Sequence, residues 1–227
     1  MNNNSGIIRS FINLRALKAA AVACAKDKSR PYLNGVYVKT IGDTVRYVAT
    51  DGHRMIILRQ CKIHEPETNK FVPEDIDGII IPLNDIKNIK LEKNNDYAEI
   101  SINGDLYSIR QNLKTIDGLL IKSTFPDYER LIPRGKLSPK SKNNIPQFNA
   151  RYLADFQKAG EILCERNEKI FVKITHGRSA QPSLIDFVGK LGDVEGFGVI
   201  MPFRFSIELK SAPKWLDDDH PKPNEGE

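Results

Sequence analysis

The sequence predicts an α+β fold in which antiparallel sheets carry helices on one face. Three observations predict it. Short apolar runs with a two-residue alternation recur along the chain and are bounded by Gly, Asp, Asn and Pro, the pattern of half-buried strands joined by tight turns. Only a few stretches show the three-to-four-residue apolar spacing of a helix. The order of these elements also repeats, as strand, helix and then three strands, although the residue identities do not.

Residues 7–12 form the first strand. Residues 14–26 read as a helix, with Leu14, Leu17, Ala20, Ala21, Cys24 and Ala25 on one face and Arg15, Lys18 and Lys26 opposite. Lys28 and Arg30 extend the basic run beyond it. Strands follow at 35–39, 45–50 and 55–61. Between the last two, Thr50-Asp51-Gly52-His53-Arg54-Met55 makes a hairpin turn, since Gly accepts φ > 0 without steric penalty. An imidazole, a guanidinium and a thioether directly after the turn are more decoration than a solvated corner needs.

The second round begins with a strand at 78–81 and a short helix at 82–91, with Lys87 and Lys90 outward. Strands at 97–102 and 106–111 and a piece near 119–122 complete it. Pro126 and Pro133 make the next segment a structured connector rather than a helix. Residues 134–147 hold Gly, Pro, Ser, Asn and basic residues without a single acid, which reads as a linker. A third round starts at Phe148 with a helix at 150–164, whose outer face mixes Arg151 and Lys158 with Asp155 and Glu161. Strands at 170–175, 184–188 and 197–202 follow. The predicted organisation is therefore 1–133 as two units, 134–147 as linker, 148–205 as one unit and 206–227 as an acidic, Pro-rich tail.

Composition narrows the function. The net charge is +5, yet the tail from 206 holds three Lys against six acids, leaving +8 on the remainder. Such a body favours a polyanionic partner. Cys24, Cys61 and Cys164 form no CxxC pair, and Cys61 with His64 cannot close a metal shell. No apolar run approaches the ~20 residues that span a bilayer, and no signal peptide precedes the first unit, so the expected location is the cytoplasm. Asp51 and His53 flank a turn without a placed nucleophile, and no GxxxxGK[ST] loop occurs. The chain is expected not to be an enzyme, and to need no cofactor or metal.

Three motifs carry a resemblance. They are Tyr32-Leu33-Asn34-Gly35-Val36 with Ala49-Thr50-Asp51-Gly52-His53-Arg54, then Phe125-Pro126-Asp127-Tyr128-Glu129-Arg130-Leu131-Ile132-Pro133, then Val199-Ile200-Met201-Pro202-Phe203-Arg204. In this order they resemble the bacterial β sliding clamp, the processivity subunit of DNA polymerase III. Residues up to Pro133 resemble its middle domain, and Phe148 onward resembles the second half of its last domain. The resemblance implies a DNA-clamp-like fold, with helices lining DNA and sheets outside.

It also implies a pocket for short linear peptides from DNA polymerase and other clamp-binding proteins. Carried over by motif, that pocket comprises Leu33, Thr50, Gly52, His53, Arg54 and Met55, then Pro126, Arg130 and Leu131, then Asn149 and Tyr152, and finally Val199, Met201, Pro202, Phe203 and Arg204. Arg15, Lys18, Lys26, Lys28, Arg30, Lys87 and Lys90 are the expected contacts to the phosphates of double-stranded DNA, without base reading. The alternative is a peptide-binding module that captures clamp-binding proteins without encircling DNA. The chain supplies three units where the family's ring needs twelve, so a homo-oligomeric ring requires four copies, with the third unit joining a neighbour's sheet. No membrane partner is expected.

Overall fold

Two sheets enclose a common core, and their strands are exchanged between units. The structure is a computed structural model that describes residues 6–27, 29–61, 72–93, 95–134, 146–164, 168–176 and 181–203. The first unit comprises β1 (Ile8–Asn13), α1 (Leu14–Ala21), β2 (Gly35–Ile41), β3 (Thr44–Thr50) and β4 (Arg54–Cys61). The second comprises β5 (Ile79–Pro82), α2 (Leu83–Asn88), β6 (Tyr97–Asn103), β7 (Leu106–Gln111) and β8 (Lys114–Leu119). Among the described residues the third has no leading strand: it runs α3 (Ala150–Leu163), β9 (Phe171–Thr175), β10 (Ser183–Val188) and β11 (Val194–Ile200).

Each leading strand serves the other unit's sheet. β1 pairs with β6, giving the order β1-β6-β7-β8, while β5 pairs with β2. The larger sheet runs β5-β2-β3-β4-β11-β10-β9, antiparallel at every joint. The third unit therefore joins the first unit of its own chain, through β4 and β11, rather than requiring a neighbour. All three helices lie on one face of this sheet, with α1 packed on both α2 and α3. Ile12 and Ile100 from the smaller sheet, Leu14 and Leu17 from α1, and Tyr47 and Leu58 from the larger sheet meet in one core.

Local chemistry explains where the elements begin and end. Asn13 caps α1, its Oδ1 accepting from Ala16 N at 2.8 Å. The Asn13 amide donates to the Tyr47 hydroxyl at 2.8 Å, which in turn donates to Gln60 Oε1 at 2.7 Å. This buried chain satisfies groups that would otherwise be desolvated without partners. The predicted helix over 14–26 stops at Ala21. Beyond it the backbone tightens into i→i+3 turns, Ala25 N turns to Leu33 O at 2.9 Å, and the Val22 carbonyl accepts from Arg54. Tertiary hydrogen bonds thus replace the last helical ones, and Ala23, Cys24 and Ala25 are buried in a loop.

Two strands also differ from expectation. The strand expected near 119–122 lies at Lys114–Leu119. It is an edge strand, largely exposed, so it lacks the apolar alternation that marks a half-buried one. The last strand starts at Val194, earlier than the expected 197. Gly196 and Gly198 obscure it, but both sit at close approaches. A Cβ at Gly196 would lie 2.3 Å from the Ile57 carbonyl oxygen, and one at Gly198 would lie 2.2 Å from the Phe156 ring.

Candidate functional site

The β3–β4 turn is built as a rigid corner. The Asp51 carboxylate accepts from the amides of His53 at 2.9 Å and Arg54 at 3.0 Å, an Asx-turn that closes the bend locally. The Thr50 hydroxyl donates to the Arg54 carbonyl at 2.7 Å and accepts from Gly52 N at 3.0 Å. Gly52 has φ +93°, where an L side chain is strained, and a Cβ there would also meet the Arg30 guanidinium at 2.9 Å. Arg30 Nη2 donates to the Asp51 carbonyl at 3.1 Å. The corner is fixed from both sides.

Arg54 then ties this corner to the third unit. Its side chain is only 6% exposed, and it pairs with Asp51 and, at 2.7 Å, with Asp155 of α3. Nη2 also donates to the Val22 carbonyl at 2.9 Å, and the guanidinium lies 4.7 Å from the centre of the Tyr152 ring. Tyr152 in turn stacks with the exposed His53, ring centres 5.9 Å apart and 14° from parallel. Burial and the nearby Asp51 raise the Tyr152 hydroxyl above its ordinary range, so it stays protonated and able to donate. Asn149 caps α3 by accepting from Arg151 N at 3.0 Å, which fixes where Tyr152 projects. The register continues past β11: Met201 N donates to the His53 carbonyl at 2.9 Å, and Phe203 N to Gln147 O at 2.6 Å.

A second cluster covers the opposite, helix-free face of the larger sheet. Leu33, Val48, Met55, Ile57 and Val199 pack there with Phe125 and Tyr128 of the connector. Tyr37 stacks on Phe125 at 4.9 Å, 12° from parallel, and Arg46 reaches Glu129 at 2.8 Å. The connector's 3-10 turn, Tyr128–Leu131, is held flat on the sheet by these contacts. Its other side shows Pro126, Arg130 and half-exposed Leu131 to solvent, with Arg130 paired to Asp127 at 2.6 Å.

The predicted pocket residues thus fall into a corner group (Thr50, Gly52, His53, Arg54, Asn149, Tyr152, Met201) and a sheet-face group (Leu33, Met55, Val199 with the connector). Met55 and Val199 are directly opposite across the β4–β11 joint. Pro202 is buried and Phe203 exposed beyond the strand end. Arg204 and Lys28 lie outside the described residues, as do the tail and most of the linker.

Sequence reasoning missed two parts. Asp155, read as part of a solvated face, is the partner of Arg54; its position three residues from Tyr152 on α3 was the available signal. A groove of about 660 Å³ also runs along the same sheet face, lined by Ile57, Ile132, Leu184 and Phe197 with Arg46 and Glu129 at its rim. Its signal was the alternation that puts Ile57 beside Met55 and Phe197 beside Val199.

The basic residues divide. Arg15 pairs with Asp96 at 2.9 Å and donates to the Ile162 carbonyl at 3.1 Å, joining α1 to the end of α3. Lys18 donates to the Ile86 and Ile89 carbonyls at the end of α2, and desolvation lowers its pKa. Arg30 is held at the turn. Lys26, Lys87 and Lys90 are exposed. Among the described residues no group of three or more His, Cys, Asp or Glu is placed to hold a metal ion, and no helix is long and apolar enough to cross a membrane.

Units of helix and meander with exchanged leading strands, and a sheet that continues from one pair of units into a third, define a DNA-clamp-like protein. A family model described as "DNA polymerase III beta subunit, central domain" matches residues 10–127, just over half of the chain, and the chain belongs to that family. The beta sliding clamp of Pseudomonas aeruginosa is 32% identical over 123 residues, 53% of this chain and 32% of that protein. The beta sliding clamp homolog GriR of Streptomyces muensis is 24% identical over 166 residues, 72% of this chain and 41% of its own length. The chain's match thus spans about a third of the curated clamps, such as that of P. aeruginosa. Among solved structures, the P. aeruginosa subunit superposes with a TM-score of 0.66 at 20% identity, covering 90% of this chain and 68% of that one. The Thermotoga maritima subunit gives 0.63 at 17%, covering 91% and 68%.

Proposed function

We propose that the chain acts in DNA replication as a sliding-clamp protein of the DNA polymerase III type, docking short linear peptides of clamp-binding proteins at the β4–β11 joint. One observation supports this above the others. Three remote stretches, at 50–55, 126–131 and 199–203, come to the same strand joint beside α3. Met55 and Val199 are buried beneath the connector and form the floor, while half-exposed Leu131 and the groove lined by Ile57, Ile132, Leu184 and Phe197 offer apolar surface for a leucine or aromatic anchor. His53, with Arg130 and Met201, borders it with polar and thioether groups. A micromolar peptide needs only about 8 kcal/mol, within reach of a few buried anchors. A P. aeruginosa clamp has been solved with griselimycin bound, which supplies a ready probe beside a polymerase-derived peptide.

The test is a fluorescence titration of labelled clamp-binding peptide and of griselimycin. Met201→Asp, at an exposed position, and His53→Asp are expected to abolish binding while the circular dichroism spectrum stays unchanged. Equal affinity in both variants refutes the pocket.

A second reading, a peptide-binding module that does not encircle DNA, is favoured by one finding: Arg15, Lys18 and Arg30 are committed to contacts within the chain. It leaves Lys26, Lys87 and Lys90 to face phosphates. Duplex binding measured against salt decides between the readings. Clamp action requires affinity that falls steeply with salt as counterions are released, and that is lost in the Lys26→Glu/Lys87→Glu/Lys90→Glu variant. No duplex affinity at low salt supports the module.

A further inference from the structure

The groove on the helix-free face has an apolar floor and an underused charge at its rim. Half-buried Ile132, Leu184 and Phe197 line it together with buried Ile57. Two guanidiniums at the rim share one carboxylate: Arg46 reaches Glu129 at 2.8 Å, while exposed Arg134 stands 4.0 Å from it. Arg134 therefore keeps most of its charge available to another acid. Phe197, inside the groove, lies six positions before Phe203, the last described residue, which is 58% exposed. At the rise of a strand the two are at most about 20 Å apart, so the chain leaves the described fold close to the groove. The sequence that follows carries the chemistry such a groove takes. Trp215-Leu216, an aromatic beside a leucine, stands directly before Asp217-Asp218-Asp219. Twelve positions separate Phe203 from Trp215, and a coil of that length spans about 20 Å on average.

We propose that Trp215 and Leu216 dock in the groove of their own chain, with the acids 217–219 toward Arg134, and that clamp-binding peptides must displace them. The proposal rests on the peptide-docking reading of this face. The apolar pair covers Leu184 and Phe197, and the acids meet the one rim guanidinium whose carboxylate is already taken by another. A tether whose average length matches the span to be bridged gives an effective concentration on the order of 1 mM. A segment with a Kd of about 0.1 mM, held at that concentration, occupies the groove about ten times as often as it leaves it. The apparent Kd of a free peptide then rises about tenfold. Weak peptides are excluded by this competition, and strong ones bind by expelling the tail.

Trp215 is the only tryptophan of the chain, so intrinsic fluorescence of the full chain reads its surroundings directly. Its emission is expected to be blue-shifted relative to free tryptophan, at every protein concentration, and to move to the red as unlabelled clamp-binding peptide is added. Arg134→Glu, at an exposed rim position, should produce part of the same red shift without peptide. In a titration of labelled peptide, Trp215→Ser/Leu216→Ser should bind about tenfold more tightly than the unaltered chain. Emission like that of free tryptophan overturns the proposal. So does a blue shift that peptide leaves in place, or one that appears only at high protein concentration, which would assign the contact to a second copy. Peptide that binds the unaltered chain and the double variant equally overturns the proposal and leaves the peptide site standing, whereas peptide that binds neither overturns both.

Discussion

Asp155 lies outside the set of residues carried over by motif, yet its replacement should disturb the site more than most of that set. In Asp155→Ala the Arg54 guanidinium keeps Asp51, the Val22 carbonyl and the face of the Tyr152 ring but loses its ion pair to α3. Removing one partner of a buried ion pair costs about 3–5 kcal/mol. Here Asp155 is 31% exposed and a second carboxylate remains, so solvent and Asp51 together reduce the loss to about 1–2 kcal/mol. For a chain of this size that lowers Tm by about 3–6 °C. The same loss loosens the turn against α3, leaving only the ring contacts of Arg54 and His53 with Tyr152, so peptide affinity should fall about tenfold for each 1.4 kcal/mol. The assays are differential scanning calorimetry and peptide titration, with Asp155→Glu as the variant expected to recover most of both. Because Arg54 is buried, 0.5 M salt should change the difference little. If Asp155→Ala unfolds at the wild-type temperature and binds peptide equally well, Asp51 alone suffices and the reasoning fails.

Gly196→Ala should force β11 away from β4, since its Cβ would meet the Ile57 carbonyl oxygen; a loss of about 1–3 kcal/mol in urea unfolding is expected, and an unchanged midpoint would contradict the close approach. Thiol labelling at pH 8 should modify exposed Cys61 rapidly and buried Cys24 and Cys164 only on unfolding; three equal rates would contradict it. Burial pushes the Cys24 thiol up to about 12, against the opposing pull of Arg54 and Lys87. A raised thiol pKa favours the folded state below the unfolded value and is lost above it, so stability should decline between about pH 9 and 12. Cys24→Ser should flatten that decline in alkaline denaturation curves.

The legible parts of the fold were strands whose apolar, β-branched runs are covered on both faces and bounded by turn residues. The apolar runs at Val45–Val48 and Met55–Leu58 reflect one face meeting the core and the other the connector, and Asp51-Gly52 marked the turn between. Helix α1 was placed correctly at its start, where Asn13 acts locally, but not at its end, where Arg54 and Leu33 reach in from elsewhere. β8 was misplaced because an edge strand has little to bury. Charge was the least legible property: nothing in the spacing of Arg15 and Lys18 separates a residue facing phosphates from one capping a neighbouring helix. For the same reason Asp155 passed as a surface residue. The continuity of the sheet through β4 and β11 joins residues about 140 positions apart, beyond the reach of local pattern.

That separation bears on how the protein is made. As the chain leaves the ribosome, β3, the neighbour of β4 on one side, and the connector that packs on its face emerge long before β11. Until then β4 presents an open main-chain edge with Ile56 and Leu58 beside it, a surface prone to wrong pairing. Closing so long a loop is entropically slow, and the corner that holds His53 against Tyr152 is assembled only when it closes. A nascent chain halted before Val194 should therefore contain the folded exchange of β1 and β5 and yet have no competent peptide site. Among the described residues this corner is the last part of the fold to form, so on the proposed reading peptide docking waits until β11 is in place.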